Sequence, residues 1–247
     1  MTAAGRIFYF QHIPKTAGTS IKVWLASHFG SSLCPLDIAD HLVAVSRRDL
    51  DQYHAFAGHF HCYLAPYLER DLVTVTVLRD PLSRTRSHWH QVRRHEQHPH
   101  HERVSRQTFT EFVEDDSNRV MIEDYQARYL VRMPVGLQAM AELFSQEERS
   151  RYALAEGLEQ ASLIVGKSVL AAAASVTLRS MAAVGSCDML GDFFVKVAEI
   201  LGLAPPTAIP RENATEDDVA NILSASALAK LRVMTQIDQH LYDTVGC

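Results

Sequence analysis

RIFYFQHIPKTAGTSIKVWLASHFG, residues 6–30, reads as strand, loop and helix in direct succession. Arg6–Phe10 is a short β-type run. From Ile21, the apolar Ile21, Trp24, Leu25 and Phe29, with the His28 ring, keep helical spacing, and Gly30 suits a C-terminal stop. Between the two lies HIPKTAGTS. Gly18 lets the backbone bend closely around an anion. Thr16, Thr19 and Ser20 bring hydroxyl donors, and a helix start brings N–H groups and the positive end of its dipole. Lys15 adds a point charge. Together these predict a cradle for phosphate or sulfate. The nucleotide loop G-x-x-x-x-G-K-[ST] puts lysine directly after its second glycine and a hydroxyl on Mg²⁺. Here Thr19 follows Gly18, Lys15 precedes it by three residues, and Ile13 stands where the first glycine would be. No acidic strand end offers itself as a metal ligand, because Asp80 opens a helix. The loop therefore predicts anion binding without the parts for magnesium-assisted phosphoryl transfer.

A second unit of the same kind follows in DLVTVTVLRDPLSRTRSHW, residues 71–89. Residues 71–79 are Val/Thr-rich and apolar on both faces near their end, as a central parallel strand should be. Asp80-Pro81 supplies an N-cap and a first-turn proline for a helix through about Arg94. Arg79 then sits at the carboxyl end of a strand, where open α/β sheets bind ligands. Ser87 lies about two turns into the helix, and an arginine fork with a hydroxyl suits a phosphate monoester. HAFAGHF (54–60) reads as a further short strand ending near His59. Residues 95–107 read as an exposed loop, 108–160 as helices with an acidic surface, 161–178 as a buried helix, and 192–201 as a helix closed by Gly202. The closing segment reads as a helix with Leu228, Leu231, Met234, Ile237 and Leu241 on one face. The expected class is α/β: a P-loop-like three-layer fold with a central, mostly parallel sheet flanked by helices, as a single domain over 1–247.

Composition narrows the function classes. Of 247 residues, 47% are hydrophobic and 21% charged, which excludes a disordered or fibrous chain. A net charge of −5 argues against a nucleic-acid partner. Cys34, Cys62, Cys187 and Cys247 lie far apart, so neither a zinc ribbon nor a thioredoxin-type pair is expected, and they read as reduced thiols. The start is too short in apolar residues for a signal peptide, and no stretch suits a membrane span, so a soluble cytoplasmic protein is expected. His88, His90, His95, His98, His100 and His101 crowd together, but without a helical His pair and a defined acid, so no metal is expected. Residues 79–106 hold seven arginines against three acids. That local excess could draw an anionic acceptor, more strongly below pH 6.5 as histidines charge.

The two units, in this order and about 60 residues apart, resemble a family: the sulfotransferases that use 3′-phosphoadenosine 5′-phosphosulfate, in the branch with carbohydrate 2-O-sulfotransferases and many bacterial relatives. HIPKTAGTS resembles that family's 5′-phosphosulfate loop. Arg79 to Trp89 resembles its 3′-phosphate motif, R-D-P-x-x-R-x-x-S-x-W. The likeness continues more weakly through Gly58-His59-Phe60, Tyr125–Leu130, Val184-Gly185 and the closing helix. It implies that Pro14, Lys15, Thr16, Ala17, Gly18, Thr19 and Ser20 hold the donor's 5′ end. It implies that Arg79 and Ser87, with Arg84 in support, hold the 3′-phosphate. His59, in a Gly-His element, becomes the catalytic base, and Lys15 steadies the leaving phosphate, with no metal. Asp124 stands where the family often has Asn, and Ser186–Met189 replaces a more usual acidic, aromatic run. The acceptor is a hydroxyl, on a glycan or a small molecule. A P-loop kinase or NTPase and a non-catalytic nucleotide- or glycan-binding relative are the competing readings. Of His59 and His61 only one is expected to be catalytic, and His59 is the choice. His12, beside the loop, is expected to order it or to approach the donor.

Overall fold

The computed structural model describes residues 6–42, 45–131, 163, 166–208 and 223–245. Four strands, β1 (Ile7–Gln11), β2 (Ala55–Gly58), β3 (Leu72–Leu78) and β4 (Ala183–Ser186), form one sheet in the order β2-β1-β3-β4. Every pairing is parallel. The helices used below are α1 (Gly18–Phe29), α2 (Pro81–Arg94), α3 (Phe109–Glu114), α4 (Tyr125–Val131), α5 (Lys167–Ser180), α6 (Leu190–Leu201), α7 (Ala225–Met234) and α8 (Gln236–Asp243). The expected α/β class is the observed one.

The two faces of β1 explain the layers. All five of its residues are buried. Side chains alternate along a strand, so Phe8 and Phe10 point one way and Ile7 and Tyr9 the other. Phe8 and Phe10 pack with Ile21, Trp24 and Leu25 of α1 and with Phe193, Phe194 and Val197 of α6. Ile7 and Tyr9 pack with Phe56, Phe60, Leu64 and Leu68. Further along the sheet, Ile13 and Leu78 meet Tyr129, Leu170, Ala174, Ile237 and Leu241 from α4, α5 and α8. A strand that is apolar on both sides requires cover on both, and helices provide it.

Several local signals act as read. Asp80 Oδ1 accepts from Ser83 N at 2.7 Å and Pro81 opens α2. Gly30 and Gly202 end α1 and α6 with φ of 51° and 65°, a backbone that a side chain would strain.

Other readings change. The closing helix is two helices, broken at Thr235. Leu231 and Met234 of α7 pack with Trp89, Phe109 and Phe112, while Ile237 and Leu241 of α8 pack beside Leu78. Leu228 is half-buried. One apparent stripe therefore serves two cores. The break is stabilised because Asp124 Oδ1 accepts from the new N-terminal N–H groups of Ile237 and Asp238, at 2.8 and 3.3 Å. The Ala-rich segment is helical from Lys167, but α5 buries only Leu170, Ala174 and Leu178, with Val169 62% exposed. It is a surface helix with one inner face. The 95–107 loop contains a helical turn, His101–Val104, whose Val104 is buried. Residues 132–160 of the expected acidic helices, and Cys247, lie outside the described residues. Cys34, Cys62 and Cys187 carry free thiols. Among the described residues, no helix is long and apolar enough to cross a membrane.

Candidate active site

Parallel strands bring their carboxyl ends to one edge, and here three neighbouring ends carry the chemistry. Gln11 of β1 lies opposite Gly58 of β2, so His12 and His59 leave the sheet side by side. Phe10 lies opposite Val75 of β3, whose strand delivers Arg79 on the other side of the same loop.

The loop is built by local strain. Lys15 and Ala17 have positive φ, 75° and 59°. Left-handed residues on either side of Thr16 turn the backbone into a concave arc, the arrangement in which successive N–H groups gather around an anion. Thr16 closes the arc from within. Its Oγ1 donates to the Ile13 carbonyl at 2.8 Å and the residue is fully buried. Its hydroxyl shapes the loop, whereas the sequence placed it among the anion donors. Helix α1 starts at Ala17 without a side-chain cap. Thr19 is exposed, Ser20 is buried, and Pro14 and Lys15 are half-buried.

Gly18 is required by its neighbour. A Cβ there would lie 1.9 Å from His12 Nε2 and 2.1 Å from Cε1. The His12 ring therefore rests on the start of α1. The ring also stacks on His59, with centroids 4.5 Å apart and an interplanar angle of 27°. Burial, followed by the charge of His59, Lys22 and Lys15, holds His12 well below the usual histidine range, so it is neutral at physiological pH.

His59 is fixed in one tautomer. Its Nδ1 lies 2.7 Å from the His12 carbonyl oxygen. A carbonyl only accepts, so Nδ1 carries the hydrogen and the neutral ring has its lone pair on Nε2. The Tyr129 ring meets it edge-on at 5.9 Å. His61 lies beyond the strand. The strand ends at Gly58, and His61 begins a turn with φ 54°. Its ring lies 4.1 Å from that of the same Tyr129, and the residue is 5% exposed. Strand alternation does not decide how this pair faces, because the chain has already left the sheet at Gly58.

Arg79 joins the two units. Its Nη1 donates to the Lys15 carbonyl at 3.3 Å. Its backbone is held at both ends by Gln126: Arg79 N donates to Oε1 at 2.9 Å, and Nε2 donates to Arg79 O at 2.8 Å. The Lys15 amine is pushed below the usual lysine range by burial first, then by Arg79, Arg84 and Arg94. A lysine depressed by neighbouring cations lies in a region of positive potential, which favours an anion.

Ser87 is half-buried on α2. Arg84 is fully buried, with Nη2 donating to the Met121 carbonyl at 2.6 Å and its guanidinium 4.3 Å from the centre of the Tyr125 ring. Burial lowers it to about 10. Arg84 is thus turned inward, onto the Met121 carbonyl and the Tyr125 ring. Of the histidine cluster, His88 is buried, His90, His98, His100 and His101 are half-buried, and His95 is exposed. Burial above all holds His88 well below the usual value and lowers His98 to about 4, and it lowers His90 as well. His88 and His98 therefore do not supply the acid-enhanced attraction expected from the sequence. Among the described residues, no three His, Cys, Asp or Glu side chains gather as a metal site.

The sequence did not disclose that Gln126 holds the Arg79 backbone or that His12 stacks on His59. Tyr125–Leu130 is noticeable as a motif, but nothing in its spacing names Arg79 as its partner. No protein-family model matches the chain, and no curated protein matches it.

One substitution tests the ring contact directly. Gly18→Ala must displace either His12 or the start of α1, at a cost of roughly 1–3 kcal/mol in stability. Chemical denaturation reads the loss, and the ring resonances of His12 and His59 in NMR should both move. Unchanged resonances in a variant of unchanged stability would show that the ring does not sit on Gly18.

Proposed function

We propose that this chain is a sulfotransferase, moving a sulfuryl group from 3′-phosphoadenosine 5′-phosphosulfate to an acceptor hydroxyl. The observation that carries the reading is the meeting of three strand ends at one edge. The Arg79 guanidinium reaches the Lys15 carbonyl on one side of the β1 loop, and His59 is seated against His12 on the other. An anion-binding arc, a second cation and an oriented base suit a donor charged at two places and an acceptor that must lose a proton.

The roles follow from charge. His59 Nε2 takes the proton of the acceptor hydroxyl as its oxygen bonds to sulfur. Lys15, with the N–H groups of the arc and of α1, meets the negative charge that grows on the 5′-phosphate as its bond to sulfur breaks. Arg79 and Ser87 hold the 3′-phosphate, Arg79 by a charge-assisted fork. The acceptor is of the alcohol class, on a carbohydrate or a small molecule. A cytoplasmic location is part of the same reading.

Calorimetric titration with adenosine 3′,5′-bisphosphate, without metal, tests the donor. It should bind at least tenfold more tightly than ATP, and Arg79→Ala should remove about tenfold or more of that affinity, the worth of a charged hydrogen bond. Equal binding of ATP, or binding only with Mg²⁺, would favour a kinase or NTPase instead. Failure of both ligands to bind would leave a non-catalytic relative.

A further inference from the structure

Behind Arg79 lies a polar assembly that touches no reacting group. Gln126 is fully buried, and both ends of its amide are spent on the Arg79 backbone. It is the second residue of α4, whose N-terminus is capped from far away in sequence. Asp238 Oδ2 accepts from Gln126 N at 3.0 Å and Oδ1 from Ala127 N at 2.7 Å. Asp238 is itself at the start of α8, and that start is capped by Asp124, the residue preceding α4. Each carboxylate caps the other's helix, and both are 1% exposed. Asp124 can hold its place because its φ of 39° is one that Asp tolerates better than most residues.

We infer that Gln126 and Asp238 form a positioning relay for Arg79, in which the Asp238 carboxylate fixes the start of α4 and Gln126 passes that placement to the backbone of the phosphate-binding arginine. The inference rests on Arg79 being the partner of the donor's 3′-phosphate. It explains an otherwise costly arrangement. A buried carboxylate pair is easily replaced by apolar side chains unless its hydrogen bonds are needed. Here four backbone N–H groups and the placement of one arginine depend on it.

The relay also has a pH sense. Burial first, with Asp124 adding to it, raises Asp238 to about 6 against the two N–H donors and the Arg84 charge. The charged groups that act on Asp238 are Asp124 and Arg84 on α2, and Arg84 is itself flanked by Tyr125 and Arg128 on α4. Lys167 on α5 lies 3.9 Å from Asp124. Above about pH 6 both carboxylate oxygens accept. Below it a proton occupies one oxygen and an N–H loses its partner. The same group contributes to folding in the opposite sense. Its folded value lies above the usual 3.8, so the native chain takes up this proton as pH falls towards 4, and ionisation costs stability as pH rises through 6.

The test measures the preference for adenosine 3′,5′-bisphosphate over adenosine 5′-phosphate by titration calorimetry at pH 7.5 and 5.5. In the native protein the preference should be tenfold or more at pH 7.5, about one charge-assisted contact. Gln126→Ala should remove most of it by weakening the bisphosphate about tenfold, while the monophosphate changes less than about threefold. Asp238→Asn should lower the preference at pH 7.5 and change less between the two pH values than the native protein. The 3′-phosphate titrates in this range too, so the comparison between proteins is the reading. Should Gln126→Ala fail to fold, Gln126→Asn shortens the arm by one methylene and keeps the amide. Amide exchange at Arg79, faster in each Gln126 variant, reports the lost bond without any ligand. A folded Gln126 variant with native preference, or one weakening both ligands alike, overturns the relay. A native protein with no preference overturns the reading of Arg79 itself, and the relay with it.

Discussion

His59→Asn lowers kcat for sulfuryl transfer by roughly 10²–10⁴-fold, the usual worth of a positioned general base. Asparagine is the informative replacement. Its side-chain amide can still donate to the His12 carbonyl, where His59 Nδ1 now donates at 2.7 Å, but it has no basic nitrogen to offer in place of Nε2. Donor binding should therefore be retained, and the loss should fall on kcat. Radiolabelled donor, supplied with a panel of carbohydrate, aryl and alkyl alcohols, gives the rate, and donor hydrolysis gives a rate that needs no chosen acceptor. His61→Asn is the control. Its ring is buried against Tyr129, 4.1 Å between centroids, and its loss should cost stability more than rate. Native kcat in His59→Asn would remove His59 from the chemistry.

Lys15→Met lowers kcat by roughly 10²–10³-fold, the range for removing one pre-placed electrostatic donor. Methionine keeps most of the stem and deletes the charge. Lys15 is crowded by Arg79, Arg84 and Arg94, which together with burial depress its amine. Removing it relieves that repulsion in the empty site. Affinity for adenosine 3′,5′-bisphosphate should consequently fall far less than the rate, because a charge that matters most as the bond to sulfur breaks acts on the transition state. Equal losses in affinity and rate would reduce Lys15 to a simple anchor. A variant with native rate would return the cradle to a loop with an incidental lysine.

How legible the site was depends on distance along the chain. Arg79 at a strand end, Asp80 and Pro81 opening α2, and Gly18 between loop and helix were readable because caps, first-turn prolines and alternation act over a few residues. Thr16 and Arg84 were readable as polar residues near an anion site, but not as the residues that face inward. Which way a side chain turns was decided by an acceptor elsewhere, the Ile13 carbonyl for Thr16 and the Met121 carbonyl for Arg84. The closing helix read as one stripe because periodicity has no term for a distant cap. Asp124, more than a hundred residues away, breaks it at Thr235.

By itself the sequence determined two strand–turn–helix units, their polarity, and the residues placed at each turn, since those follow from local hydrogen bonding and side-chain period. Tertiary structure alone decided that β2 and β3 flank β1, and so that His59, the Lys15 loop and Arg79 share one edge. It alone joined Gln126 to Arg79 and Asp238 to α4. The physical reason is that strand order and buried polar pairing are settled by which surfaces bury one another, and residues far apart in the chain carry no local mark of the partner they will meet.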